Sequence, residues 1–393
     1  MNITPKARLI LKTGKIESLN RFHPWVFSGA IKRIEGEPKE GDLVELYDNH
    51  DHFLALGHYG ESSIVARILT FENEEIDHDF FRKKFETAWA YRQSLHLLRE
   101  DNNVFRLMHG EADGLPGLIV DFYKGVAVME FHSAGMESMA DGLATALAEA
   151  CKGEVKTIVS KSKSTKENGS KLLFGTEPAL PHEIVENGNK FLVNWSEGQK
   201  TGFFIDQREN RQMVKEYSKG RKVLNMFGYT GGFSVYALAG GAQQVVTVDS
   251  SEKAMELCRQ NLALNNFDPQ QNPCIAKDAL EYLKEMPDGE FDLIILDPPA
   301  YAKRVDARHN AIQGYKRLNA EALAKIKSGG FLFTYSCSQV VERNHFNGAI
   351  TAAAIAAGRK VRVVAQLSQA SCHGHTLFHP EGFYLKGLLL FVE

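Results

Sequence analysis

The sequence predicts an α/β protein in three parts: a small N-terminal β-barrel, a central α+β region and a doubly wound, Rossmann-like sheet at the C-terminus. Three observations carry this reading. Residues 1–75 hold five short strand-like runs separated by Gly, Asn and Asp turns. A mixed stretch of strands and helices follows. From Arg221 onward, apolar strands and helical segments alternate. The expected divisions are 1–75, 76–190 and 191–393, and 393 residues suffice for two or three domains.

The five N-terminal runs are ARLIL, WVFSGAI, DLVELYD, FLALGHY and IVARILT, a count that suits a small barrel. Across 79–98, Phe81, Phe85, Ala88, Trp89 and Leu95 recur at near-helical spacing. The central region continues with strands FRLMHG, GLIVDFY and VAVMEF, a helix over 136–150 and the strand TIVSKS. In EIVENGNKFLVNW, Asn187 and Gly188 predict a tight hairpin. In the last part VLNMF, VVTVD, CIAKD, FDLIILD and FLFTYS read as buried parallel strands. The closing runs VRVVAQL and YLKGLLLFVE are joined by a loop too short for a crossover helix. They predict an antiparallel pair at the sheet edge.

Hydrophobic residues make up 44% and charged residues 24%, which excludes a disordered or fibrous chain. No apolar run approaches the roughly 18 residues that span a bilayer. The N-terminus lacks the apolar core of a signal peptide. The odd number of scattered cysteines (Cys151, Cys258, Cys274, Cys337 and Cys372) suits free thiols, so a cytoplasmic protein without membrane contact is expected. The net charge of −3 conceals a local bias. Residues 1–33 carry Lys6, Arg8, Lys12, Lys15, Arg21, Lys32 and Arg33 against the single acid Glu17. A second basic stretch, SKSKSTKENGSK, covers 160–171. Such patches can hold a phosphate backbone, although solvated loops give the same pattern.

VLNMF runs into GYTGGF, residues 228–233, and then into a helix, so glycines and a helix N-terminus meet at a strand end. The spacing differs from the Gly-x-Gly-x-x-Gly of a dinucleotide-binding turn. Asp249 ends the next strand, where a carboxylate can accept from both ribose hydroxyls. Asp278 ends CIAKD, where it can accept from an adenine amine. Three such features at successive strand ends point to an adenosine-containing cofactor. The fourth strand ends in LDPPAY, whose prolines make a rigid turn that directs Asp297 into the cleft.

HPWVFSGA (23–30), HGEADGLPGLIVD (109–121), TGFFIDQRENR (201–211), VLNMFGYTGGFS, LDPPAY, SCS (336–338) and HPEGFYLKG (379–387) follow one another along the chain. In the joint order and spacing of these stretches, the chain resembles over essentially its whole length the bacterial 23S ribosomal RNA cytosine-5 methyltransferases that carry an N-terminal PUA domain. The resemblance implies a PUA-type RNA-binding barrel, a class I methyltransferase domain, S-adenosyl-L-methionine as cofactor and 23S ribosomal RNA as partner. It implies a cofactor site of Phe227, Tyr229, Thr230, Gly231, Gly232, Phe233, Asp249, Ser250, Asp278, Asp297 and Pro298, closed with help from Asp206, Gln207 and Arg208. Many RNA cytosine-5 methyltransferases place a cysteine after the fourth-strand proline. Here that residue is Pro299, followed by Ala300 and Tyr301, and the PUA-containing group lacks that cysteine too.

Carbon 5 of cytosine is a poor nucleophile until a thiolate adds to carbon 6. Cys337 is the one cysteine at a strand end facing the presumed cleft, and Asp297 is placed to hydrogen-bond the ring nitrogen at position 3. Cys337 and Asp297 are therefore the expected catalytic pair, against the plainer reading of Cys337 as a buried packing thiol. DPPAY also resembles the Asp-Pro-Pro-Tyr motif of enzymes that methylate exocyclic amines, so a base-nitrogen methyltransferase is the alternative. An inactive RNA-binding protein is a third reading. Cys372, His373, His375 and His379 cluster in the tail without a standard zinc spacing. No metal is expected there, and the segment reads as a rim loop with His373 and His375 toward RNA. The oligomeric state, a homodimer included, is open.

Overall fold

The computed structural model describes residues 2–161 and 170–393. Most of the second basic stretch, at 162–169, lies outside the described residues. Two compact units result. One contains Met1–Ile184, Val193–Ile205 and Cys372–Gly382; the other contains Val185–Leu192, Asp206–Ser371 and Phe383–Glu393.

In the first unit, β1 (Ala7–Leu11), β2 (Trp25–Phe27), β3 (Ile31–Glu35), β4 (Leu43–Tyr47), β5 (Phe53–Tyr59) and β6 (Ile64–Thr70) form a six-stranded sheet ordered β2-β6-β5-β4-β1-β3. Leu9, Leu11, Val26, Val44, Leu46, Ala55, Ala66 and Ile68 alternate inward and are buried as one cluster. The run WVFSGAI is two strands rather than one. A 3-10 turn at Ser28–Ala30 breaks it, and Phe27, Ser28 and Gly29 are exposed there.

A second sheet in the same unit is built from β7 (Val104–His109), β8 (Leu118–Tyr123), β9 (Val126–Phe131), β10 (Thr157–Lys161) and β11 (Lys171–Phe174). Helix α1 (His78–Ser94) is capped by Asp77, whose side chain accepts from Phe80 N. Trp89 of α1 packs edge-on against Phe122, and Phe122 stacks on Phe105 at 4.9 Å. The helix expected over 136–150 is interrupted at Met139. The pieces are Ala134–Ser138 and α2 (Ala140–Ala150), and α2 forms the crossover between the parallel strands β9 and β10.

The hairpin β12 (His182–Glu186) and β13 (Asn189–Val193) turns at Asn187 and Gly188, with φ of 47° and 79°. Both residues are left-handed, as a two-residue hairpin turn requires.

The second unit centres on a seven-stranded sheet. Its strands are β14 (Lys222–Met226), β15 (Gln244–Asp249), β16 (Cys274–Ala276), β17 (Leu293–Leu296), β18 (Gly330–Ser336), β19 (Val361–Leu367) and β20 (Lys386–Val392). Their order is β16-β15-β14-β17-β18-β20-β19. The strands β16, β15, β14, β17 and β18 are parallel, and β20 runs antiparallel between β18 and β19. The edge pair read from the sequence is thus present, with β20 inserted beside β18. Helices α3 (Arg208–Tyr217), α4 (Gly232–Ala239), α5 (Glu252–Leu264), α6 (Ala279–Glu285), α7 (Arg308–Lys325) and α8 (Arg343–Ala356) connect or flank these strands. The order reverses at β14, whose neighbours are β15 and β17. Crevices at the carboxyl ends of the strands beside such a switch are where open α/β sheets bind ligands.

Among the described residues no helix is long and apolar enough to cross a membrane.

Candidate active site

The loop between β14 and α4 is held in an unusual backbone shape. Phe227, Tyr229 and Gly231 all have positive φ, at 59°, 45° and 82°. Two of them are not glycine, and left-handed non-glycine residues cost on the order of 1–3 kcal/mol each, so surrounding contacts must hold them. Beneath the loop, Asn225 Nδ2 donates to Ser234 Oγ at 2.8 Å, and Ser234 Oγ lies 2.7 Å from Thr247 Oγ1. Asn261 Nδ2 donates to Thr230 O at 2.8 Å. Gly231 has no substitute: besides its φ, a Cβ there would lie 2.5 Å from Cys258 Sγ. Phe233 stacks on the buried Tyr335 at 5.8 Å.

Asp249 ends β15, partly exposed, and accepts from Tyr229 N and Ser251 N, both at 3.0 Å. A carboxylate offers about four lone-pair sites. Two amide bonds fix its orientation and leave capacity for a diol. The neighbouring Ser250 is exposed. Strand β16 stops at Ala276, two residues before Asp278. The Asp278 carboxylate is exposed and caps α6, accepting from Leu280 N at 2.9 Å and Glu281 N at 3.0 Å.

Asp297 follows β17. Asn210 Nδ2 donates to Gln207 Oε1 at 2.6 Å, which orients the Gln207 amide so that its Nε2 donates to Asp297 Oδ1 at 3.0 Å. The residues read as DQR therefore divide their work. Gln207 meets Asp297, whereas Asp206 accepts from Tyr384 OH at 2.7 Å. The buried Arg208 donates to Glu209 at 3.0 Å and to Ser371 Oγ at 3.4 Å. The Asp297 charge adds to burial in pushing the Tyr335 phenol far up.

The register pairs Leu296 with Thr334, which brings the end of β17 beside the end of β18. Pro298 O lies 3.9 Å from Cys337 Sγ. Of the five cysteines, four are buried and Cys337 alone is partly exposed. Burial pushes the Cys151 thiol up to about 12, and a hydrogen bond with Cys274 together with burial raises that of Cys258. These are inert packing thiols.

Lys386 escaped the sequence reading. It is buried at the start of β20, and its ammonium donates to Ser338 O and Tyr384 O, each at 2.7 Å. Burial lowers its pKa to about 8, against the opposing pull of Cys337. A lysine opening the apolar run LKGLLLFV was the available signal. The tail also differs from expectation. His373 is buried rather than on a rim, its Nδ1 lies 3.3 Å from Cys372 Sγ, and Arg92 holds Cys372 O at 3.0 Å. His375 is exposed.

The residues present suit S-adenosylmethionine: carboxylates at the ends of β15 and β17, and one at the N-terminus of α6, offer acceptors for a ribose diol and an amine, and negative charge for a sulfonium. The model for the S-adenosylmethionine-dependent methyltransferase family matches residues 106–364, and that for a PUA-like domain matches residues 9–71. Ribosomal RNA large subunit methyltransferase I of Aeromonas salmonicida is 42% identical over 390 residues, covering 97% of this chain and 98% of its own. The Escherichia coli protein of the same name is 38% identical over 389 residues, with 97% and 98% covered. Among solved structures, a SAM-dependent methyltransferase from Streptococcus mutans shares the fold at a TM-score of 0.86 and 20% identity, over 98% of this chain and 99% of its own. The methyltransferase SMU.776, crystallised with SAH, matches at 0.86 and 21%, with the same coverage. The chain belongs to the ribosomal RNA large subunit methyltransferase I family, S-adenosylmethionine-dependent enzymes with an N-terminal PUA-like domain.

Proposed function

We propose that this protein methylates carbon 5 of a cytosine in 23S ribosomal RNA through a cysteine–base covalent adduct. The relatives' common name supports a large-subunit ribosomal RNA substrate. The observation that carries the chemistry is the partly exposed Cys337 against Pro298, beside Asp297 and within the field of the buried Lys386 ammonium. The thiolate, not the thiol, is the nucleophile. Asp297, oriented by Gln207, is the group to hydrogen-bond the ring nitrogen at position 3.

The bonds balance. Cys337 Sγ bonds to carbon 6, and the carbon 5–carbon 6 electron pair becomes nucleophilic at carbon 5. Bound S-adenosylmethionine would supply the electrophilic methyl group for carbon 5, its sulfur–methyl bond breaking so that S-adenosylhomocysteine is the leaving group. A base then takes the carbon 5 proton, the double bond reforms, and the Cys337 thiolate leaves. Gln207, Arg208, Phe227, Tyr229, Thr230, Gly231, Gly232, Phe233, Asp249, Ser250, Asp278, Asp297 and Pro298 form the proposed cofactor site.

The remaining assignments belong to the same reading: an RNA-anchoring barrel over 1–75, a central domain over 76–190, a methyltransferase domain over 191–393 and a cytoplasmic location. Mapping 5-methylcytosine across 23S ribosomal RNA from cells with and without the gene tests it. One modified cytosine should revert to unmodified in the deletion. A lost methyl group on a base nitrogen instead would favour the DPPAY reading, with Tyr301, whose ring packs 4.7 Å from that of Tyr315, as the residue to pursue.

A further inference from the structure

Three side chains from two distant stretches of the sequence converge within the first unit. His23 precedes β2, while His379 and Glu381 belong to the returning segment Cys372–Gly382. One imidazole nitrogen from each histidine and one Glu381 oxygen lie within 4.8 Å of one another. Glu381 Oε2 is 3.4 Å from His23 Nε2 and 3.8 Å from His379 Nε2.

His379 is only 4% exposed, and its Nε2 has no hydrogen-bond partner among the described residues. A buried polar nitrogen left unmet is costly. Pairing protonated imidazoles with Glu381 does not resolve this, because 3.8 Å is beyond hydrogen-bond reach. The rings are also held in place from behind. His23 Nδ1 lies 3.1 Å from Trp25 N, from which it can accept, and 3.2 Å from Trp25 O; a cation at Nε2 requires the other tautomer, in which Nδ1–H donates to Trp25 O. The Trp25 ring packs against His379 at 4.4 Å, while its Nε1 donates to Glu111 at 2.9 Å.

We propose that His23, His379 and Glu381 bind one divalent transition-metal ion of the zinc type, with a fourth position open to water. Two imidazoles and a carboxylate are donors for such ions rather than for calcium or magnesium, which prefer all-oxygen shells. Zinc bonds of about 2.0–2.1 Å in a tetrahedron separate neighbouring ligand atoms by about 3.3 Å. The separations of 3.4 and 3.8 Å are close to that, so small side-chain shifts complete the shell. The tail histidines alone lack zinc spacing; the missing ligand, His23, lies on the far side of the sequence. The ion would fasten the segment Cys372–Gly382 to the edge of the barrel. This proposal is independent of the methyl-transfer chemistry.

The test uses the full chain, stripped with a chelator and titrated calorimetrically with Zn²⁺ alone. About one equivalent should bind. Both Glu381→Gln, at a half-exposed position, and His23→Asn should weaken binding at least tenfold while circular dichroism stays unchanged. X-ray absorption at the zinc edge should show only nitrogen and oxygen neighbours. No uptake by the wild type, uptake that neither variant alters, or a sulfur neighbour pointing to Cys372 would each overturn the proposal.

Discussion

Whether Cys337 reacts or merely packs is decided by surroundings that differ from those of the other four thiols. Cys151 and Cys258 are buried and raised, whereas Cys337 is partly exposed beside a buried lysine. Cys337→Ala should therefore keep cofactor and RNA affinity but lose methyl transfer by several orders of magnitude. With RNA carrying 5-fluorocytosine at the target there is no carbon 5 proton to remove. A denaturing gel should then show a protein–RNA band that requires both S-adenosylmethionine and Cys337; full turnover by the variant would sink the nucleophile assignment. Lys386 gives a stability prediction with a definite sign. Its folded pKa of about 8 lies below the ordinary value of 10.5, so the unfolded chain binds more protons between those limits. Stability should rise with pH across that window, and Lys386→Met should flatten the rise in urea titrations. The positions of Asp249, Asp297 and Cys337 at the ends of apolar strands were legible, because a sheet fold presents polar groups there; their roles belong to the proposed function. Lys386 left only the signal of a lysine at the head of an apolar run, and the His23–His379 pairing left none, because a long-range contact has no local pattern.

Elements were read more completely than single contacts. The runs ARLIL, FLALGHY, IVARILT, VAVMEF and VRVVAQL are strands with the bounds the alternation suggested. WVFSGAI misled because its Ser28-Gly29 pair, a turn signal in itself, is flanked on both sides by apolar residues that continue a strand-like run. The break at Met139 lies between Gly135 and Gly142, neither of which stands at the break itself. The glycine loop was recognisable as a turn, but the left-handed Phe227 and Tyr229 were not, since neither residue type favours that region. Their conformation makes Asp249 do two things, binding Tyr229 N and facing the proposed ribose site. Asp249→Ala should thus reduce S-adenosylmethionine affinity by roughly ten- to 150-fold for each ligand hydrogen bond lost, taking about 1.5–3 kcal/mol per charged hydrogen bond. Asp249→Asn, which keeps an acceptor for Tyr229 N, should separate loop support from ligand contact. Calorimetry alongside thermal unfolding measures both, and near-wild-type affinity in the alanine variant would remove Asp249 from the site.

At the scale of the whole molecule, the sequence suggested three consecutive parts, yet compact packing takes Val185–Leu192 into the second unit and returns Cys372–Gly382 to the first. The histidine-rich Cys372–Gly382 does stand out in composition, but composition does not say which unit a segment joins. What composition did disclose is charge. The net value of −3 averages over a first stretch in which Lys6, Lys12, Lys15, Arg21, Lys32 and Arg33 are all exposed. If that stretch holds RNA phosphates, affinity should fall steeply with salt, because each neutralised phosphate releases counterions. Replacing Lys12, Lys15 and Arg21 together by Glu leaves the buried barrel cluster untouched. The variant should therefore fold, bind S-adenosylmethionine normally and bind ribosomal RNA more weakly. Its plot of log affinity against log salt should be shallower, by about 0.7–0.9 for each phosphate that is no longer neutralised. Weaker binding with an unchanged slope would mean that these residues act through shape and not charge. Unchanged affinity and slope would place the RNA anchor elsewhere on the protein.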